Sequence, residues 1–329
     1  MGASSNIRHR VNHGLDVTKL FCAFLIVYMH AYFNDLGQLS TWFRHVITTI
    51  GVPFFFITSG YFFMIGILKN NHSSTYLKKY VWRVAKMYFI WSVITLPVSW
   101  LCIEWGHPDY SIPLKIVYLF RMFFFSGSCG IYWYLLALVV CSLLIYYFSF
   151  KERIGLLYII ATILFIVGVV YDSHCCDDFI LFKLIHAVFG SERNFLNVGL
   201  FYMCMGAFFA SHHIKCNNTV LIIALILSVI ARTIEFHFSH FQLMQVAIAI
   251  ALFLWARNIN IDIDDEKSIA MRKLSTAIYL LHYPFLLVYD YNFKRGTLTG
   301  FFMAIAFCLI TYYLLKHILS ENKMKLLFG

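Results

Sequence analysis

Long apolar runs alternate with short polar stretches along the whole chain, and most of the runs have the length that crosses a bilayer. A membrane-spanning helix needs about 20 predominantly apolar residues. Runs near that length fall at roughly 14–33, 46–68, 86–103, 131–150, 155–171, 195–211, 219–234, 243–257, 275–293 and 299–318. The expected fold is therefore all-α, a polytopic bundle of about ten transmembrane helices in a single domain over 1–329. Residues 1–13 read as a cytoplasmic leading segment, 14–319 as the bundle and 320–329 as a tail. The stretch IPLKIVYLFRMFFF is too short to span and carries Lys115 and Arg121, so it is expected to lie in the membrane interface.

Composition agrees with this pattern and removes other classes. Hydrophobic residues make up 61% and charged residues 13%, against about 25% charged in soluble domains, which leaves no room for a separate soluble unit. Aromatic residues at 19% suit an interfacial belt. A net charge of +10 would suit nucleic acid, but its distribution argues otherwise. Of the 26 Lys and Arg, 18 fall on one set of alternating connections, the positive-inside signal, which places both termini in the cytoplasm. The expected partners are membrane lipids and no nucleic acid. The opening MGASSNIRHRVNHG lacks the apolar core of a cleaved signal peptide. The 9 cysteines contain no CxxC pair, and vicinal Cys175 and Cys176 make a poor disulfide. Asp172, His174, Asp177, Asp178, His186, Glu192 and Arg193 crowd one outer connection without metal-ligand spacing, so no metal is expected.

Candidate chemistry starts with LDVTKLFCAFLIVYMH, which carries Asp16 and Lys19 at its mouth and His30 deep along it. Ionisable groups inside a spanning helix are costly and point to function. Lys19 and His30 are 11 residues apart, within about 20° of one helix face and about 16 Å along the axis, so a linear molecule on that stripe would touch both. The plain alternative is that Lys19 snorkels and His30 packs as a satisfied polar residue. Ser59-Gly60 in the second run admits close approach of a helix or a ligand, with Tyr61 beside it. Lys69, Lys78, Lys79, Arg83 and Lys86 form the most basic connection, suited to lipid headgroups or to a phosphorylated ligand. Tyr132 and Trp133 are interfacial anchors or sugar platforms, and His282 is a second intramembrane histidine.

Four motifs in order, LDVTKLFCAFLIVYMH, VPFFFITSGYFF, YWYLLAL and LSTAIYLLHYP, resemble the acyltransferase 3 family of integral membrane acyltransferases. The resemblance is to the branch holding bacterial surface-polysaccharide O-acetyltransferases and the membrane domain of vancomycin-resistance serine racemases. It implies a multi-pass protein of the bacterial plasma membrane that moves an acyl group, usually acetyl, from cytoplasmic acyl-coenzyme A to a hydroxyl of a cell-surface glycan or its lipid-linked precursor. Acetyl-coenzyme A would be a co-substrate, with no permanently bound cofactor, and the reading leaves room for a homodimer. The family's essential histidine falls on His30, with Asp16 and Lys19 grouped beside it as catalytic candidates; Lys19 stands where the family has arginine. Lys78, Lys79, Arg83 and Lys86 are then the candidates for the coenzyme A nucleotide, and Ser59, Tyr61, Tyr132, Trp133, Arg193, Asn194 and His282 for substrate. Asp35, Asp172 and Glu192 are the candidate carboxylate partners of His30. The rival expectation is a transporter of a small amino acid or similar solute, with the same ionisable groups lining its path.

Overall fold

The computed structural model describes residues 11–31, 37–173, 179–189, 194–212, 214–238, 242–293 and 296–329. Among these, every regular element is helical. In chain order they are α1 (His13–Ala31), α2 (Gly37–Trp42), α3 (Gly51–Lys69), α4 (Ser74–Ile94), α5 (Leu96–Gly106), α6 (Ile112–Arg121), α7 (Trp133–Phe150), α8 (Ile154–Asp172), α9 (Ile180–Phe189), α10 (Leu200–Ser211), α11 (Asn218–Phe238), α12 (Met244–Asn258), α13 (Asp265–Asn292), α14 (Leu298–Ile318) and α15 (Glu321–Phe328). Short π-helical turns at Phe43–Ile47, Met122–Ser126 and Phe195–Gly199 lead into or out of the longer elements.

Contacts fix the direction of each leg. Lys19 lies over Phe62 and Gly51 over Ile26, so α1 and α3 are antiparallel. Arg272 reaches Asp16 and His282 reaches His30, so α1 and α13 are parallel. Tyr146 bonds to the carbonyl of His72, and Gln245 to that of Thr49, which orients α7 and α12 in the same way. The legs alternate between a basal end, where His13, His72 and Arg257 sit, and an apical end, where His30, Thr49 and Asn194 sit.

All ten apolar runs form helix, yet fewer meet the length and apolarity of a bilayer span. Six stretches do: α1, Gly37–Lys69, α7, α8, α11 and α14. The α4–α5 pair makes a seventh if its 62° bend is one broken span. That bend falls at Thr95, two residues before Pro97 in the first turn of α5; proline has no N–H to bond the Val93 carbonyl and its ring crowds that preceding turn, so one straight helix cannot run through. The runs carrying α10 and α12 are short, and the first third of α13 is polar. Among the described residues, the protein is all-helical and multi-pass, with six or seven helices long and apolar enough to span a membrane.

Boundaries differ most where polar residues sit on helix. The basic connection is itself helical, because Ser73 caps α4 by accepting from the Thr75 amide, so Lys78, Lys79, Arg83 and Lys86 ride on the first turns of α4. Helix α13 begins ten residues before the apolar run does, at Asp265. The segment 320–329, read as a tail, forms α15 and turns back into the bundle: Met324 and Phe328 are buried and Trp91 donates to the Leu327 carbonyl.

Packing is centred on α3, the most enclosed span, while α11 is the least and turns Ile223, Ile226, Leu227 and Ile230 outward, as a lipid-facing helix does. Helices α3 and α10 approach through reciprocal glycines. A Cβ on Gly60 would meet the Met203 carbonyl at 2.1 Å, and one on Gly206 the Ile57 carbonyl at 2.0 Å. Small residues are what allow such backbone contact. Away from this axis, Arg232 ties α11 to the Phe43–Ile47 turn by bonding the His45 carbonyl at 3.2 Å, and its partner Glu235 caps the start of α12.

The basal end is latched by charge. Asp16 is fully buried; Arg272 holds both its oxygens, at 2.8 and 2.6 Å, and Ser268 donates at 2.9 Å. Arg272 is partly exposed, so the pair is screened on its side, but removing Arg272 would strand the buried Asp16 charge. Arg272→Ala is expected to lower the melting temperature in detergent by several degrees, and Asp16→Asn combined with Arg272→Met to regain most of it. An unchanged melting temperature in the single variant would rule out the latch.

Candidate active site

The apical ends of the central helices leave a cavity of about 320 Å³. Its wall includes Ile26, Met29 and His30 of α1, Thr49 and Pro53 before and within α3, Trp133 and Tyr134 of α7, Asp172 of α8, Gln245 of α12, and Tyr279 and Tyr283 of α13. Two of the three π-helical turns border it, through Phe125 and Ser126 and through Val198, and such turns recur at functional sites because they re-aim side chains. Asn194 and Gln242 complete the polar lining.

His30 is an imidazole on this wall, and its hydrogen bonds fix its chemistry. Its Nδ1 lies 2.9 Å from the Ile26 carbonyl, which only accepts, so Nδ1 carries the proton and Nε2 keeps its lone pair. Behind it stands His282, completely buried, whose Nδ1 likewise faces a carbonyl, that of Ile278, at 2.9 Å. The unprotonated Nε2 of His282 lies 3.2 Å from Nδ1 of His30. Tyr283 packs edge-on to the His30 ring with centroids 5.0 Å apart. The arrangement is an oriented imidazole with a free lone pair beside an aromatic, polar chamber.

The other sequence candidates fall into three groups. Trp133 and Asn194 reach the cavity wall with His30. Asn194 also caps the Phe195–Gly199 turn by accepting from the Leu196 and Asn197 amides. Ser59, Tyr61 and Tyr132 do not line the cavity. Ser59 bonds the Tyr134 hydroxyl at 2.8 Å, Tyr61 packs on Phe253, and Tyr132 donates to the Leu280 carbonyl at 2.9 Å. The Ser59-Gly60 notch is filled by the α10 backbone. Arg193, Asp35 and Glu192 lie outside the described residues; Asp172 is on the wall and accepts from Gln242 at 3.0 Å.

The basal candidates sit apart from the chamber. Lys78, Lys79, Arg83 and Lys86 are exposed on α4. Arg83 lies over the Tyr80 ring and Lys86 over Trp82. The Lys19 ammonium lies 5.1 Å from the Phe62 ring centroid. Asp16, grouped with the catalytic residues in the sequence, is occupied by Arg272 and Ser268 about 21 Å along α1 from His30. The stripe between Lys19 and His30 is not an open groove: Cys22 and Ala23 are fully buried, Ile26 is the lowest α1 residue on the cavity, and Phe55, Tyr134 and Tyr279 cluster beneath it. Among the described residues no group of three or more His, Cys, Asp or Glu is arranged to hold a metal.

Sequence reasoning missed Tyr134, Tyr279, Tyr283, Gln242, Gln245 and Arg272. For two of these a signal existed, since Tyr279, His282 and Tyr283 stand at i, i+3 and i+4 and share one helix face.

Comparison with known proteins places the chain in a family. Two relatives are named amino-acid racemase, both from Enterococcus faecalis. One is 26% identical over 215 residues, covering 61% of this chain and 29% of the relative; the other is 24% identical over 165 residues, covering 49% and 22%. The chain thus spans less than a third of the length of these curated relatives. No solved structure matches it. A family model described as an acyltransferase domain, Acyl_transf_3, matches residues 12–316, from the start of α1 almost to the end of α14, and the chain belongs to this acyltransferase 3 family.

Proposed function

We propose that this protein transfers an acyl group, acetyl in the first instance, from acyl-coenzyme A to a hydroxyl of a cell-surface glycan or its lipid-linked precursor, working as a multi-pass protein of the bacterial plasma membrane. The observation that carries this is the His30 imidazole, held with its Nε2 lone pair free on the wall of a chamber rich in aromatic and amide groups. Rings such as Trp133 and Tyr283 suit the apolar faces of a sugar, and amides suit its hydroxyls.

The step balances with these residues. The acceptor hydroxyl oxygen attacks the thioester carbonyl carbon while its proton passes to His30 Nε2. Collapse of the tetrahedral adduct breaks the C–S bond, and the imidazolium returns the proton to the departing thiolate. The products are an ester and free coenzyme A. The donor's phosphates pair with the exposed cations of α4 at the basal end, and Lys19 stands between them and His30. The positive-inside distribution supports a cytoplasmic location for that end. Because the stripe below Ile26 is packed, entry of the pantetheine arm requires the Phe55, Tyr134 and Tyr279 cluster to part.

Binding of acetyl-coenzyme A to the detergent-purified protein, compared between wild type and Arg83→Ala, tests the donor end. A charge-assisted phosphate contact is worth about 1.5–3 kcal/mol, so the variant is expected to bind roughly tenfold or more weakly. A folded wild type that binds no acetyl-coenzyme A would favour transport of a small amino acid or similar solute, with the same ionisable groups lining the path.

A further inference from the structure

Among the described residues, no carboxylate is hydrogen-bonded to His30 to steady the positive charge it gains. We infer that His282 takes that place: its Nε2 receives the Nδ1–H of His30, so that a neutral imidazole does here what a carboxylate does in the Ser-His-Asp arrangement. The inference rests on the reading of His30 as the proton-accepting group.

The geometry leaves little choice of role. His282 has its own Nδ1–H bound to the Ile278 carbonyl at 2.9 Å, which makes its Nε2 an acceptor. That acceptor has one near donor, His30 Nδ1 at 3.2 Å, shared with the Ile26 carbonyl at 2.9 Å. In the resting state the Ile26 bond alone sets the tautomer, and the contact with His282 is the longer arm of a three-centre bond. When Nε2 of His30 takes the acceptor's proton, the ring becomes a cation and its Nδ1–H a charge-assisted donor, roughly twice as strong. The His282 contact then gains most, because the low-dielectric interior strengthens it and the imidazole needs no reorganisation. His282 is also fixed: it is completely buried, and its ring is flanked by those of Tyr279 and Tyr283 on the same helix. It is absent from the cavity wall, so it acts through His30 and is a positioning residue rather than a substrate ligand.

The two rings also join the two ends of the family's motif set. They come from α1 and α13, 252 positions apart, whose parallel packing is secured at the basal end by the Asp16–Arg272 latch. The latch therefore sets the register at which the two imidazoles meet.

The test uses the full-length protein in detergent with acetyl-coenzyme A and a glucosamine-type acceptor. His282→Ala is expected to lower kcat about 100-fold while KM for acetyl-coenzyme A stays within twofold, and His282→Gln, whose side-chain oxygen also accepts, to recover at least tenfold of the loss. Equal losses in the two variants, or no loss in His282→Ala, would overturn the inference. A second measurement does not depend on activity or on tolerance of the substitution. Histidine-selective ¹⁵N NMR of wild type should show Nδ1 protonated and Nε2 bare in both rings; an Nε2–H form of either ring overturns the pairing. That pattern in a protein that transfers no acyl group would count against the transfer reading alone.

Discussion

Replacing His30 with alanine should lower acyl transfer by about 10²–10⁴-fold while leaving donor binding intact. A positioned general base contributes about 10²–10⁴-fold, and His30 lies on the chamber wall with its Nδ1 committed to the Ile26 carbonyl and its Nε2 lone pair available. The α4 cations stand at the opposite end of the bundle, so the dissociation constant for acetyl-coenzyme A should change by less than about threefold. The two expectations together separate a chemical role from a packing role. A residue that only filled space would lower folding yield and binding along with rate. A His30→Ala protein with full turnover would remove the mechanism, whatever its stability.

The second large effect concerns folding. Gly206→Val is expected to yield no monodisperse protein, and Gly60→Val to do the same. A Cβ at Gly206 would stand 2.0 Å from the Ile57 carbonyl oxygen and 2.6 Å from the Tyr61 nitrogen, and both are backbone atoms that no rotamer can move aside. Forcing extra atoms into a packed contact costs about 1–3 kcal/mol where side chains can adjust, and more where two backbones must part. Parting α3 from α10 also displaces Val198 and Tyr202 from the cavity wall. Gly155→Ala on α8 is the control, since a Cβ there has no neighbour within 4 Å. Size-exclusion chromatography of the three variants in one detergent settles the point: a monodisperse Gly206→Val peak at wild-type yield would show that the helices do not touch as described.

These particulars show what a single sequence exposes. The apolar runs located the helices because burial in lipid demands unbroken hydrophobicity, and the rarity of ionisable groups inside those runs singled out His30, Lys19 and His282. Helix ends made of polar residues escaped that logic. The first turns of α4 and the first third of α13 are helical by capping and tertiary contact, and Arg272 was hidden in the latter. Partnerships were less legible still. Asp16 reads as a catalytic carboxylate until Arg272, 256 positions away, is seen to hold it. The proximity of Lys19 and His30 on one stripe is a true property of the helix, but whether the stripe is open depends on neighbouring helices, and their aromatic rings close it. The chamber itself draws on more than six elements, so only its α1, α7, Asp172 and Asn194 contributions stood out beforehand.

The central claim is acyl transfer, and it is tested most directly by incubating purified protein in lipid vesicles with [¹⁴C]acetyl-coenzyme A and a glucosamine-type acceptor, following free thiol and labelled acceptor together. Transfer predicts that the two appear in equal amounts and that both fall by about 10²–10⁴-fold with His30→Ala. Vesicles that take up a labelled amino acid while acetyl-coenzyme A remains intact would contradict it.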